Sequence, residues 1–399
     1  MARLAVAMSG GVDSAVAAAL LVGHGHDAVG ITMNLWPTWV PRTAEGSGCC
    51  GLGAIDDARA AARTLGIRHY VLNLREEFER EVIGYFTAEY ARGRTPNPCI
   101  ACNKAIKFDL LLHRARALGM DGLATGHYAR TDRGPDGRVR LLRAVDRHKD
   151  QSYVLAGLTQ SQLAHVRFPV GTHTKPQIRE IARGLGLGVA DKPDSQEICF
   201  VPGGDYAVVV ERFEPQALRP GPIYDLDGRL LGEHRGVARY TLGQRRGLGL
   251  AGGSAWYVVR IDPERNAVIV GDAGAMRCPE LLAGDINWVA IPGLVAPRTA
   301  TVRIRHASAD IPAVIAPARG GAVAVRFETW PRAAAPGQAI AFYDGDVVLG
   351  GGVIEEVEIG GAAPAGDRIL AGRTAVLSGA RSGNHTAGEG GDECPPSPP

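Results

Sequence analysis

Two groups of residues have types and spacings suited to chemistry. The first is Ala7-Met8-Ser9-Gly10-Gly11-Val12-Asp13-Ser14. An apolar run from Leu4 ends at Met8, two glycines follow, and Ala15 to Val22 is apolar all round. Strand, glycine turn, helix is the arrangement that aims backbone N–H groups and a helix dipole at an anion. Gly10 and Gly11 permit positive φ and a close backbone approach to a ligand. Asp13 or Ser14 can cap the helix, and the Ser9 and Ser14 hydroxyls add donors. The loop carries no Lys, so it is not the Gly-x-x-x-x-Gly-Lys-Ser/Thr phosphate loop. A loop without a clamping cation suits a pyrophosphate that leaves.

The second group is sulfur. Seven cysteines stand at 49, 50, 99, 102, 199, 278 and 394. An odd number in a chain expected to be cytoplasmic argues for chemistry or metal rather than a disulfide framework. Cys102 follows the break Pro96-Asn97-Pro98 and is expected in the first turn of a helix, near Lys104 and Lys107, where dipole and cations stabilise a thiolate. Cys199 lies in the polar stretch Asp194 to Phe200, where a cysteine is either structural or reactive. Cys99 and Cys102 form a C-x-x-C, which supports a redox pair or half of a zinc or iron–sulfur site. Cys49 and Cys50 could complete such a set, although adjacent cysteines are awkward joint ligands. Cys394 sits in a tail expected to be inert.

A basic surface flanks these thiols. Arg92 to Arg116 holds six Lys/Arg against Asp109 alone, and Arg138 to Lys149 holds five against Asp146. Arg298, Arg303, Arg305 and His306 mark the C-terminal part. Net charge is only +2, so no global field announces nucleic acid; a local one favours a polyanion such as RNA.

The elements that must position these groups alternate strand and helix to about residue 130. That pattern implies an α/β fold with a doubly wound parallel sheet and ligands at the carboxyl ends of its strands. After residue 206 helix signals nearly vanish, and turns such as Asp225-Leu226-Asp227-Gly228 and Asp344-Gly345-Asp346 separate short apolar runs. We expect a nucleotide-binding domain over 1–205, a small β-rich domain over 206–275, a β-barrel over 280–358 and a disordered tail over 360–399. No apolar run reaches the ~18 residues a membrane span needs, and no secretory leader is visible.

Ser-Gly-Gly-x-Asp-Ser resembles the pyrophosphatase (PP) loop of the N-type ATP pyrophosphatases. With Gly93-Arg94-Thr95-Pro96-Asn97-Pro98, Cys102-Asn103-Lys104, Ala124-Thr125-Gly126-His127-Tyr128, Lys149-Asp150-Gln151-Ser152-Tyr153, Ile198-Cys199-Phe200 and Thr241-Leu242-Gly243-Gln244-Arg245-Arg246-Gly247-Leu248-Gly249, the chain resembles the tRNA-specific 2-thiouridylases, the MnmA family, over about 3–358. The resemblance implies a PP-loop domain, a small central domain and a C-terminal β-barrel. It implies adenylation of the wobble uridine's 2-oxygen by ATP, with Mg²⁺, then sulfur transfer. Cys199 would carry a persulfide taken from a sulfur-donor protein, and Cys102 would act as the nucleophile.

By the same resemblance, Ala7, Met8, Ser9, Gly10, Gly11, Val12, Asp13, Ser14, Met33 and Gly126 would hold ATP. Pro96, Asn97 and Pro98 would place the target base, and His127, Lys149, Asp150, Gln151, Arg305, His306 and Gln338 would touch tRNA. The chain departs from familiar members in having Cys99 where they carry Asp, and in Cys49-Cys50. Those differences point to added sulfur or metal chemistry, with a cluster-dependent thiolase as the alternative. An amide-forming ligase of the same loop type would need an ammonia source, and no glutaminase module is visible. A non-enzymatic RNA-binding protein leaves the opening loop unexplained.

Overall fold

The computed structural model describes residues 1–40, 52–194, 198–250, 255–306, 308–332 and 334–359. Cys49, Cys50, Cys394 and the expected disordered tail lie outside the described residues.

The N-terminal part is built on strands β1 (Arg3–Ala7), β2 (Asp27–Asn34), β3 (Arg68–Asn73) and β4 (Gly122–Thr125), a hairpin β5 (Ala129–Arg133) and β6 (Val139–Arg143), and β7 (Val166–Arg167). Five of them form a parallel sheet in the order β3-β2-β1-β4-β7. Alternation along β1 decides which layer each side chain meets. Leu4 and Val6 pack with α1 (Val12–Gly23), α2 (Leu52–Thr64) and α5 (Lys175–Gly184), while Ala5 packs with Phe108, Leu111 and Leu112 on the other face. Helices therefore cover both faces, as a parallel sheet requires.

Two helical runs cover the second face. One, α3, joins Arg75–Phe78, Glu79–Ile83 and Gly84–Ala91; the next, α4, joins Pro98–Ala101, Cys102–Leu111 and Leu112–Ala117. The Asn97 side chain caps α4 by accepting from the Cys99 and Ile100 N–H groups, and Pro98 fills the first turn, where its missing N–H is harmless. From Cys102 to Leu111 the winding widens to a π-helix.

A short helix α6 (Tyr206–Phe213) leads to a four-stranded sheet of β8 (Gly221–Tyr224), β9 (Leu230–His234), β10 (Tyr257–Asp262) and β11 (Ala267–Gly271), in the order β10-β11-β8-β9. Its Ile223, Val258, Val268 and Val270 share one apolar cluster with Phe86, Cys102 and Ile106 of α3 and α4. The central domain is thus fused to the helices that carry Cys102.

The last six strands are β12 (Glu280–Trp288), β13 (Arg298–Arg303), β14 (Ile311–Pro317), β15 (Val323–Phe327), β16 (Ala339–Asp344) and β17 (Val347–Val357). They run β12-β15-β14-β13-β16-β17 and close through β12–β17 pairing, an antiparallel barrel. The hairpin β5–β6 extends this barrel's sheet through Val347 opposite Leu142. Barrel residues also clamp the turn before α4: Thr95 N–H donates to Pro336 O at 2.8 Å, and Arg94 meets Glu355 at 2.7 Å.

Candidate active site

The parallel sheet reverses its strand order beside β1 and β4, and the loops leaving these two strands meet above the switch point, the usual ligand crevice of such sheets. A Cβ on Gly126 would fall 2.6 Å from Ser14 N and 2.7 Å from Asp13 C, so only glycine lets the loops touch. Gly10 has φ +71°, and a Cβ there would lie 2.2 Å from Ala54 O of α2. Inside the loop, Ser9 N–H donates to Ser14 Oγ at 3.1 Å and Ser14 Oγ donates to Gly11 O at 3.0 Å. Gly11, not Asp13 or Ser14, stands at the N-cap, and no side chain caps the helix. The first-turn N–H groups of α1 are orphans of the kind that bind anions.

Asp13 instead turns sideways. Its carboxylate accepts from Lys175 Nζ at 2.8 Å on both oxygens and from Tyr128 Oη at 2.7 Å. Burial, then the Asp13 charge, push the Tyr128 phenol far above its ordinary range. Lys175, only 7% exposed, also pairs with Asp194 at 2.7 Å, and Lys149 holds the other Asp194 oxygen at 2.8 Å. Burial alone would raise the Asp194 carboxyl; hydrogen bonds from Lys149 and Lys175 outweigh it and bring it down to about 2. On the loop's other flank, Lys192 Nζ donates to Gly10 O at 3.2 Å and to Asp57 at 2.6 Å. The expectation of a loop without cations is therefore corrected: its own stretch lacks Lys, but Lys175 and Lys192 arrive from α5 and the segment after it.

Cys102 and Cys199 pack on the same apolar cluster, the first buried at 9% exposure and the second half-buried. Met33 and Leu72, near the carboxyl ends of β2 and β3, pack on it too. Phe200 anchors the residue after Cys199: its ring is edge-on to Phe78 at 5.7 Å and to Phe86 at 5.3 Å. One expectation needs correction. Because α4 starts at Pro98, Cys99 occupies the first turn and Cys102 the second, where the dipole has faded. Lys104 is drawn to Asp285 at 2.8 Å, and Lys107 to Asn103 at 2.9 Å. Cys99 is exposed and Cys102 buried, and among the described residues no group of three His, Cys, Asp or Glu is placed to hold a metal.

The residues expected to meet tRNA divide. Pro96 and Pro98 are buried at the clamped turn, with Asn97 half-buried between them. His127 shares a 2.8 Å hydrogen bond with Thr125, and its pKa is held well below 6.5, by burial first and the Lys107 charge second. Gln151 is tied to the Tyr128 backbone, Oε1 accepting at 2.9 Å. His306 is exposed, with Arg305 half-buried beside it and Gln338 half-buried at the turn that packs on Thr95. Asp150 is different. It is 4% exposed, accepts from Ala144 N, Ser152 N and Ser152 Oγ, and pairs with Arg143 at 3.5 Å and Arg303 at 3.3 Å. Its carboxylate joins the first domain to the barrel and faces no solvent.

Sequence reading missed Lys175, Lys192, Asp194 and Phe200 as site residues. Nothing local marks Lys175 in Thr174-Lys175-Pro176 except the start of a helix; only the sheet order brings it to Asp13.

Comparison with known proteins agrees with this architecture. A family model described as a tRNA methyl transferase HUP domain matches residues 2–203, one described as a tRNA methyl transferase PRC-barrel domain matches 209–272, and an aminomethyltransferase beta-barrel domain matches 279–354. Among similar proteins, one from Heliobacterium modesticaldum is 52% identical over 352 residues, covering 88% of this chain and 91% of its own. One from Moorella thermoacetica is 52% identical over 353 residues, covering 88% and 99%. One from Symbiobacterium thermophilum is 50% identical over 359 residues, covering 88% and 92%. All three are named tRNA-specific 2-thiouridylase MnmA. A solved 4-thiouridine synthetase–RNA complex with bound ATP is 16% identical, with a TM-score of 0.31 over 48% of this chain and 43% of that one.

Proposed function

The chain belongs to the tRNA-specific 2-thiouridylases, ATP-dependent tRNA sulfurtransferases, and from that premise we propose how its residues divide the reaction. MgATP enters as substrate, with its phosphates against Ser9–Ser14 and Gly126. The wobble uridine of tRNA is held near Pro96–Pro98. Its C2 oxygen attacks the α-phosphorus, the bond to the β-phosphate oxygen breaks, and pyrophosphate leaves. The oxygen is now part of AMP, a far better leaving group than oxide.

Cys199 accepts a sulfur atom from a donor protein as a persulfide. Its terminal sulfur attacks C2 and AMP departs. The Cys102 thiolate attacks Cys199 Sγ, breaking the S–S bond and leaving 2-thiouridine and a Cys102–Cys199 disulfide. The alternative order has Cys102 release hydrosulfide first. Either way an external dithiol must reduce the disulfide after each turnover. Arg305, His306, His127, Lys149, Gln151 and Gln338 are proposed to face tRNA, and a tRNA substrate supports reading the enzyme as cytoplasmic. The described helices include none long and apolar enough to cross a membrane.

The observations that support this reading are the shared apolar cluster under Cys102 and Cys199, which also takes in Met33 and Leu72 near the carboxyl ends of β2 and β3, and the PP-loop meeting Gly126. The test combines MgATP, a sulfide or persulfide source, a dithiol and unmodified tRNA, with nucleosides read by mass spectrometry. We expect 2-thiouridine, and none from Cys199→Ala with tRNA binding intact. Product from that variant at the wild-type rate would overturn the persulfide role. A cluster-dependent route through Cys49, Cys50, Cys99 and Cys102 is the second reading, favoured by Cys99 standing where other members carry Asp. It requires iron and acid-labile sulfide in the anaerobically purified, active protein.

A further inference from the structure

Three carboxylate oxygens surround the Lys175 ammonium: Asp13 Oδ1 and Oδ2 at 2.8 Å each, and Asp194 Oδ1 at 2.7 Å. This buried ammonium lies against the second residue of α1, beside the N–H groups that suit an anion. A phosphate oxygen can reach it only by displacing one partner. Asp13 is the harder to displace, being fixed in the first helical turn and bonded to Tyr128 as well. Asp194 is the easier: it stands outside any helix, Lys149 at 2.8 Å and Arg179 at 3.6 Å remain to hold it once it lets go of Lys175, and a polyphosphate would repel it.

We infer that Lys175 is a phosphate-binding residue of this enzyme, and that Asp194 holds its ammonium in place until the nucleotide takes it over. The inference rests on the reading of the loop as the ATP site. Lysine suits the exchange because it is a compact charge with rotatable donors rather than a fixed fork. Asp194 stands five positions before Cys199, and Lys192, two positions earlier, touches Gly10 O at 3.2 Å. Lys192 and Asp194 therefore touch both flanks of the phosphate loop. Nucleotide and Asp194 compete for one cation, so the coupling is reciprocal: whatever ATP does to the Asp194 contact, Asp194 does to ATP affinity.

The test is calorimetric titration of the full chain with MgATP, and separately with magnesium pyrophosphate, without tRNA. Asp194→Asn removes the competitor yet leaves Lys175 paired with Asp13, so the fold is kept. It should tighten both ligands by about 5- to 20-fold, within the usual range of site couplings. Lys175→Met should weaken both by at least about tenfold, and Asp194→Asn should give no tightening in that background. Asp191→Asn removes the same charge three residues away, where the carboxylate pairs with exposed Arg183, and should leave affinity unchanged. Unchanged or weaker binding by folded Asp194→Asn overturns the inference, as does equal tightening by Asp191→Asn or in the Lys175→Met background. If Lys175→Met fails to fold, the two aspartate variants decide. If the wild type binds neither ligand, the ATP-site reading itself fails, and the inference with it.

Discussion

Phe200 stands edge-on to Phe86 with ring centroids 5.3 Å apart, so the position of Cys199 is set by its neighbour's ring. Phe200 is 2% exposed and also touches Phe78, which links the persulfide candidate to α3. Phe200→Ala should cost about 3–5 kcal/mol of packing where the site cannot collapse. Single-turnover 2-thiouridine formation should drop by more than tenfold while MgATP affinity stays within twofold, and Phe200→Leu should recover most of the rate. Wild-type turnover in folded Phe200→Ala would show that the ring does not position the thiol.

Gly126 supplies a sharper test of the nucleotide crevice. An alanine methyl would sit 2.6 Å from Ser14 N, and the obstacle is backbone, which cannot step aside. Gly126→Ala should therefore weaken MgATP binding by at least about tenfold through displacement of the α1 N-terminus. Gly188→Ala, where a Cβ meets nothing within 4 Å, is the matched control and should bind normally. Equal ATP affinity in the two variants would mean that the loops after β1 and β4 do not form the site together.

What could be read from residue order was local. The strand, the paired glycines and the apolar helix after them are neighbours in sequence, so their geometry follows from φ preference and burial. Lys175 meets Asp13 across 162 positions, and only the order of the parallel strands decides that meeting. Helix α6 misleads for a different reason. It lies where helix signals nearly vanish, because its Val208-Val209-Val210 run is β-branched, but Asp205 caps it at 3.0 Å and Tyr206 stacks on Tyr90 at 4.5 Å. Tertiary contact overrides propensity there. The turn Gly134-Pro135-Asp136-Gly137 marks β5–β6 as a hairpin, yet its place beside β17 depends on pairing with residues some 200 positions away.

Asp150 should prove structural when probed. Removing its carboxylate leaves Arg143, whose side chain is 4% exposed, without one of its two acidic partners and leaves the Ala144 N–H unpaired. Breaking a buried pair of this kind costs about 3–5 kcal/mol. Asp150→Ala should lower the urea midpoint markedly, and the folded fraction should still bind tRNA. A selective loss of tRNA affinity at unchanged stability would instead put Asp150 on the RNA.

Histidine burial predicts how stability depends on pH. His69, His127 and His234 all have pKa values lowered by burial, His127 the most. A lowered value means that the folded state binds fewer protons than the unfolded chain. The stabilisation is then complete above the unfolded value of about 6.5 and is lost as pH falls from there through the folded values. Asp194, held at about 2, keeps its contribution until pH falls below about 4 and adds nothing to the slope above that. Urea midpoints should therefore be flat from pH 8 to 7 and decline from 6.5 to 5. His127→Asn, which removes the most depressed of the three, should make that decline shallower even if it lowers the plateau. An unchanged slope in that variant would show that His127 charges in the folded protein as readily as in the unfolded chain.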